Sequence, residues 1–140
     1  ELARLMAEAL SGLGLKRAFV VHGSHGWDEA TPMGPFMLWD VRDGQVIETE
    51  REPADLGLPR CDPSDLAGGD AQYNADRLEA VLRGIESGPH RDTLVLGTSL
   101  VLELSGVAQD GAEGVRLARQ ALDDGRSAGV LDQIKAEAPA

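Results

Sequence analysis

The sequence predicts an α/β fold, with α/β organisation at the start and a helical cover at the end. Three observations carry this. A helically spaced apolar run leads into the compact stretch "RAFVV", residues 17–21. Two strand-like runs, "FMLWDV" and "QVIETE", flank Arg42-Asp43-Gly44. Everything after residue 62 reads as consecutive helices.

The first helix rests on Leu2, Leu5, Met6, Ala9, Leu10 and Leu13, which recur at helical spacing until Gly12 and Gly14 stop it. "RAFVV" is short and apolar throughout, so it reads as a strand buried on both faces. The polar stretch His22 to Pro35 leaves the C-terminal end of that strand, the edge where α/β proteins place ligands. Asp-Gly between the next two runs is a hairpin signal. Met37, Trp39 and Val41 fall on one face of its first strand, and Phe36 and Leu38 on the other. In the second, Glu48, Glu50 and Glu52 alternate with Ile47 and Thr49, which predicts one wet face.

A turn-rich segment spans Pro53 to Gly69. Within it, Asp62-Pro63-Ser64-Asp65 has the form of a helix start: a capping acid, then proline at the first helical position. Asp70 can cap a helix whose apolar face is Leu78, Val81, Leu82 and Ile85. Pro89 opens the next, and "TLVLGTSLVLEL" is apolar nearly all round, as a buried core helix is. Asp110-Gly-Ala-Glu113 is a capping-box pattern ahead of Val115, Ala118 and Leu122. Gly125 ends that helix, Ala128, Leu131 and Ile134 mark a last one, and "AEAPA" reads as a frayed tail. The total is at least three strands and about five or six helices.

A chain of 140 residues, 42 % hydrophobic and 26 % charged, suits one domain with a real core. No apolar run approaches the ~20 residues that span a bilayer. The net charge of −11 disfavours nucleic acid and anionic membranes as partners. It also means that an anionic substrate needs local donors, a helix N-terminus or a bridging cation. Cys61 has no second cysteine to pair with and no flanking histidine, which fits a plain thiol in a cytoplasmic protein. Glu1 already lies inside a helical pattern, as expected of a partial chain whose further strands precede it.

"HGSHGWDE", residues 22–29, holds the main site candidates. In a turn, Asp28 and Glu29 can reach one cation; Mg²⁺ prefers oxygen ligands and takes one or two carboxylates plus substrate phosphates. A solvated pair or a helix cap is the alternative. His22 and His25, with the two acids, imitate a transition-metal site but match no zinc signature; histidines at a strand end more often satisfy backbone groups. "GGDAQYN" is either a phosphate-binding helix start or a turn before a helix, and no Gly-Lys-Ser/Thr follows it. Ser24 lacks the GxSxG context of a nucleophile elbow. No catalytic residue is assigned.

The order of the segments carries a resemblance. "LGLKRAFVVHGSHGWDEAT", "DGQVIETEREPADLGLPR", "DLAGGDAQYNADRLEAVLRG", "GPHRDTLVLGTSLVLELSG" and "GAEGVRLARQALDDGRSAGVLDQI" together resemble the C-terminal part of the anthranilate phosphoribosyltransferase family. "VVHG…DE" and "GGD…N" are its most specific elements. The resemblance implies the C-terminal portion of a phosphoribosyltransferase-type α/β domain, a mixed sheet with a β-hairpin and several covering helices. Residues 1–140 are then a single partial domain, with the helical domain and the phosphate-binding part absent. It implies transfer of the phosphoribosyl group of phosphoribosyl pyrophosphate to anthranilate, in tryptophan biosynthesis, by cytoplasmic Mg²⁺-dependent homodimers. Asp28 and Glu29 match the acids that hold Mg²⁺ against the pyrophosphate. The "GTGGD"-type cradle, the "KHGN"-type segment and the arginine that meets anthranilate are not in this sequence, so the 140 residues alone are expected to be inactive. The sequence departs from the family pattern at Trp27, where a smaller apolar residue is usual, and at Gly97, within a segment that often reads "LNAAA". The alternative is a non-catalytic or altered-acceptor paralogue acting as a binding module.

Overall fold

The computed structural model describes residues 1–137. Its elements are α1 (Leu2–Ser11), β1 (Arg17–His22), β2 (Phe36–Arg42), β3 (Gln45–Arg51), α2 (Ala71–Leu82), α3 (Pro89–Leu104), α4 (Gly111–Asp123) and α5 (Arg126–Glu137). Single 3₁₀ turns occupy Ser24–Gly26, Pro53–Leu56 and Pro63–Leu66. The expected helix start at Asp62 is therefore one short turn, closed by the Asp62 N–H donating to Asp65 Oδ2 at 2.8 Å. The "AEAPA" tail lies outside the described residues from residue 138 on, and Ala136 and Glu137 still belong to α5.

The sheet order is β1-β2-β3, antiparallel throughout the described residues. Arg42 pairs with Gln45 across a two-residue turn in which Asp43 and Gly44 take φ 51° and 76°. That is the primed turn matching the twist of a hairpin, and Asp-Gly tolerates it. Helix α1 covers one face: Ala7 is buried with Val20, Trp39 and Val41. The opposite face carries Phe36 and Leu38 into the main core, with Val81, Val95, Leu96, Val115, Ala118 and Leu122 from the helices.

Three expectations about burial change. Strand β1 is flanked on both faces but is an edge strand, so only Val20 is buried and Ala18, Phe19 and Val21 are half-buried. Strand β3, the other edge, is wet on both faces, and Ile47 is exposed along with the glutamates. On the helices, Leu78 is 50 % and Val101 62 % exposed, and Ile85, expected on the apolar face of α2, lies beyond its end at Leu82 and is 76 % exposed. The apolar face of α2 narrows to Val81 and Leu82, and α3 is a core helix on one side only.

Helix α3 binds the molecule together. Val95, Leu96, Ser99 and Leu100 are buried on it, and Glu103 is buried as an ion. Helix α4 crosses it where Gly114 faces Ser99. A Cβ on Gly114 would stand 2.8 Å from the Ser99 carbonyl oxygen and 3.0 Å from its Cα. Glycine to alanine inside a helix ordinarily gains about 1 kcal/mol. Here the sign reverses, because backbone cannot rotate aside as a side chain does. Gly114→Ala is expected to cost about 2 kcal/mol, within the range for overpacking, as a lower urea midpoint at unchanged slope. A rise in stability would show that the helices separate freely.

Candidate functional site

Residues 23–29 form a closed loop at the end of β1. The Gly23 N–H donates to the Trp27 carbonyl at 2.9 Å, and the Trp27 N–H donates to the Ser24 carbonyl at 3.3 Å. His25 adopts φ 59° at the loop's tip. Asp28 and Glu29 are the exit of the loop, both exposed. Acids elsewhere in the molecule enter internal pairs: Glu52 with Arg60, Glu103 with Arg51. Asp28 and Glu29 enter no ion pair and no side-chain hydrogen bond among the described residues.

His22 ends β1 and His25 sits in the 3₁₀ turn, both exposed. Among the described residues no group of three or more His, Cys, Asp and Glu side chains could hold a metal ion. The transition-metal imitation His22, His25, Asp28, Glu29 is thus not assembled, and two adjacent carboxylates are left. Exposed, unpaired and oxygen-only, they fit a hard divalent cation whose other ligands are phosphate oxygens and water.

The remaining sequence candidates have structural uses. In "GGDAQYN", the Gly69 N–H donates to Asn74 Oδ1 at 2.9 Å and Asn74 Nδ2 donates to the Gly69 carbonyl at 3.1 Å. The Tyr73 N–H donates to Asp70 Oδ1 at 2.8 Å. The Gly69 and Tyr73 amides are spent on the turn and the helix cap, which favours the turn over a phosphate-binding helix start. Ser24 Oγ is buried and packs against Gly34, so it offers no nucleophile. Burial pushes the Cys61 thiol up, and Asp65, Asp62 and Asp92 push it further, the opposite of an activated thiolate.

A cavity of about 580 Å³ opens beside Glu29, walled by Trp27, Leu66, Leu78, Val81, Leu94 and Val101. Asn74, Arg77, His90 and Thr93 supply its polar groups. Arg77 Nη2 lies 2.6 Å from Glu86 Oε1 and 2.8 Å from His90 Nδ1. This cluster escapes a reading of the sequence because its members come from α2, the following turn and α3. The Trp27 and Gly97 positions line this same cavity, and a Cβ at Gly97 would meet nothing within 4 Å.

Two unpaired carboxylates at a strand end of an α/β layer are oxygen donors of the kind a hard divalent cation takes. Residues 1–128 match the glycosyl transferase family, a/b domain, and the chain belongs to that family. The anthranilate phosphoribosyltransferase of Rubrobacter xylanophilus is 46 % identical over 131 residues, which are 94 % of this chain and 38 % of the relative. Anthranilate phosphoribosyltransferase 2 of Streptomyces coelicolor is 43 % identical over 133 residues, 95 % of this chain and 39 % of the relative. Among solved structures, the anthranilate phosphoribosyltransferase of Thermus thermophilus superimposes with TM-score 0.83 at 33 % identity, covering 94 % of this chain and 38 % of that one. The Saccharomyces cerevisiae enzyme in complex with PRPP and Mg gives TM-score 0.84 at 26 % identity, with the same coverage. The chain therefore spans about two fifths of the length of the relatives it matches. No helix among the described residues is long and apolar enough to cross a membrane.

Proposed function

We propose that this chain is the C-terminal part of the α/β domain of an anthranilate phosphoribosyltransferase, and that Asp28 and Glu29 are its Mg²⁺-holding arm. The polypeptide moves the phosphoribosyl group of phosphoribosyl pyrophosphate onto the amino nitrogen of anthranilate: the new C–N bond forms as the C–O bond to pyrophosphate breaks, and the nitrogen gives up one proton. The observation that carries this is the pair of exposed carboxylates, free of internal partners, at the end of β1 in a chain of this family. When bound, Mg²⁺ supplies the positive charge that neutralises departing pyrophosphate. Asp28 and Glu29 hold that charge where a segment of net charge −11 would otherwise repel the donor. The closed loop keeps both side chains at the strand end. The phosphate cradle and the groups that meet anthranilate come from the remaining length of the polypeptide. A homodimer and a cytoplasmic setting belong to the same reading.

The test follows anthranilate fluorescence and pyrophosphate release in the full-length protein, with Mg²⁺ and then with excess chelator. The expected result is matched consumption and release that stop on chelation, and no turnover by the 140 residues alone. Full-rate transfer without a divalent cation, or none with it, would overturn the assignment.

A further inference from the structure

Two glycines in the loop do different things. Gly26 has φ 79° and open space around it, so it is glycine for its backbone conformation. Gly23 has φ −78° and ψ 165°, values open to any residue. Its need is spatial. A Cβ on Gly23 would overlap the carbonyl oxygen of Glu29 and lie 3.2 Å from Trp27 Cβ. Its N–H also closes the loop onto the Trp27 carbonyl, and Gly23 itself is buried. The backbone on either side of Asp28 thus rests on one residue, through a hydrogen bond at Trp27 and a bare Cα at Glu29.

We infer that Gly23 is a positioning residue for the Asp28–Glu29 pair: the neck of the loop sets where the two carboxylates stand, and only a residue without a side chain lets it close. This rests on the reading of those carboxylates as a cation arm. It assigns a function to the "HG" that opens the stretch, separate from the two histidines. With a side chain at 23, the Glu29 carbonyl has to move until its oxygen clears the new methyl group, and the two carboxylates move with it. Supports that orient ligands without touching the ion typically govern metal affinity by about 10–100-fold.

The experiment compares Gly23→Ala, Gly26→Ala and Asp28→Asn with Glu29→Gln in the full-length protein. Mn²⁺ binding is read by loss of the free-ion electron paramagnetic resonance signal, and the thermal midpoint is measured alongside. Gly23→Ala is expected to weaken Mn²⁺ binding about 10–100-fold, while Gly26→Ala lowers the thermal midpoint and leaves Mn²⁺ affinity within about twofold, because nothing crowds that position. Unchanged affinity in Gly23→Ala, or equal losses in both glycine variants, overturns the inference. Unchanged affinity in the double carboxylate variant instead overturns the cation-arm reading beneath it. If Gly23→Ala does not fold, hydrogen exchange in the unsubstituted protein decides: added Mg²⁺ is expected to slow exchange of the Gly23 amide, and an unaffected amide overturns the neck.

Discussion

Replacing Glu103 with alanine is expected to destabilise the fold by about 3–5 kcal/mol, the usual cost of stranding one partner of a buried ion pair. The side chain is only 7 % exposed, and Arg51 binds both of its oxygens, at 2.6 and 2.9 Å. Arg17 approaches from the other side, with Nη2 3.5 Å from Glu103 Oε1 and Nη1 donating to the Glu103 carbonyl at 2.8 Å. Arg17 in turn donates to both oxygens of Asp40, at 3.0 and 2.8 Å, and lies over the Phe19 ring. One carboxylate on α3 therefore anchors arginines from β1 and β3. Truncating it leaves two guanidinium groups half-buried beside a void. Urea unfolding should show the loss in midpoint at unchanged slope. Removing Glu8, whose pair with Arg4 is exposed, should change stability by no more than about 0.5 kcal/mol. A cost for Glu103 below about 1 kcal/mol would show that water already solvates the cluster.

This network explains a limit of the sequence reading. Periodicity places Glu103 on an apolar helix without saying why a charge belongs there. Its partners, Arg17 and Arg51, are 86 and 52 residues away in sequence, beyond any local pattern. Short-range signals did carry through. Asp-Gly specified the hairpin turn, and Asp70 and Asp110 cap their helices at Tyr73 and Glu113. These depend on residues a few positions apart. Burial was legible only where a helix has neighbours on every apolar side. Leu78 and Val101 have helical spacing but flank an open cavity, and β1 has an apolar sequence but only one neighbouring strand among the described residues. The candidate site divides the same way. Asp28 and Glu29 were readable as residue types at a strand end. The contact between Gly23 and Glu29 was not, because Gly23 has a backbone conformation that any residue can take.

Asp28→Asn combined with Glu29→Gln should lower kcat/KM for phosphoribosyl transfer by on the order of 10³-fold in the full-length protein, about 4 kcal/mol of transition-state stabilisation. The substitutions keep shape and remove charge. Because both side chains are exposed and unpaired, the thermal midpoint should hold to within the scatter of surface substitutions. Electrostatics at long range act the other way. With two fewer negative charges, an anionic donor approaches more easily, so general repulsion cannot produce a loss. A fall in rate then reports lost cation binding alone, and it should come with a flattened dependence on Mg²⁺. Each single variant keeps one carboxylate, so its KM for Mg²⁺ should rise while added Mg²⁺ restores part of the rate. The double variant, with no charged ligand left, should not respond. Native rates with native Mg²⁺ dependence in the double variant would place the ion elsewhere and return Asp28 and Glu29 to a solvated loop.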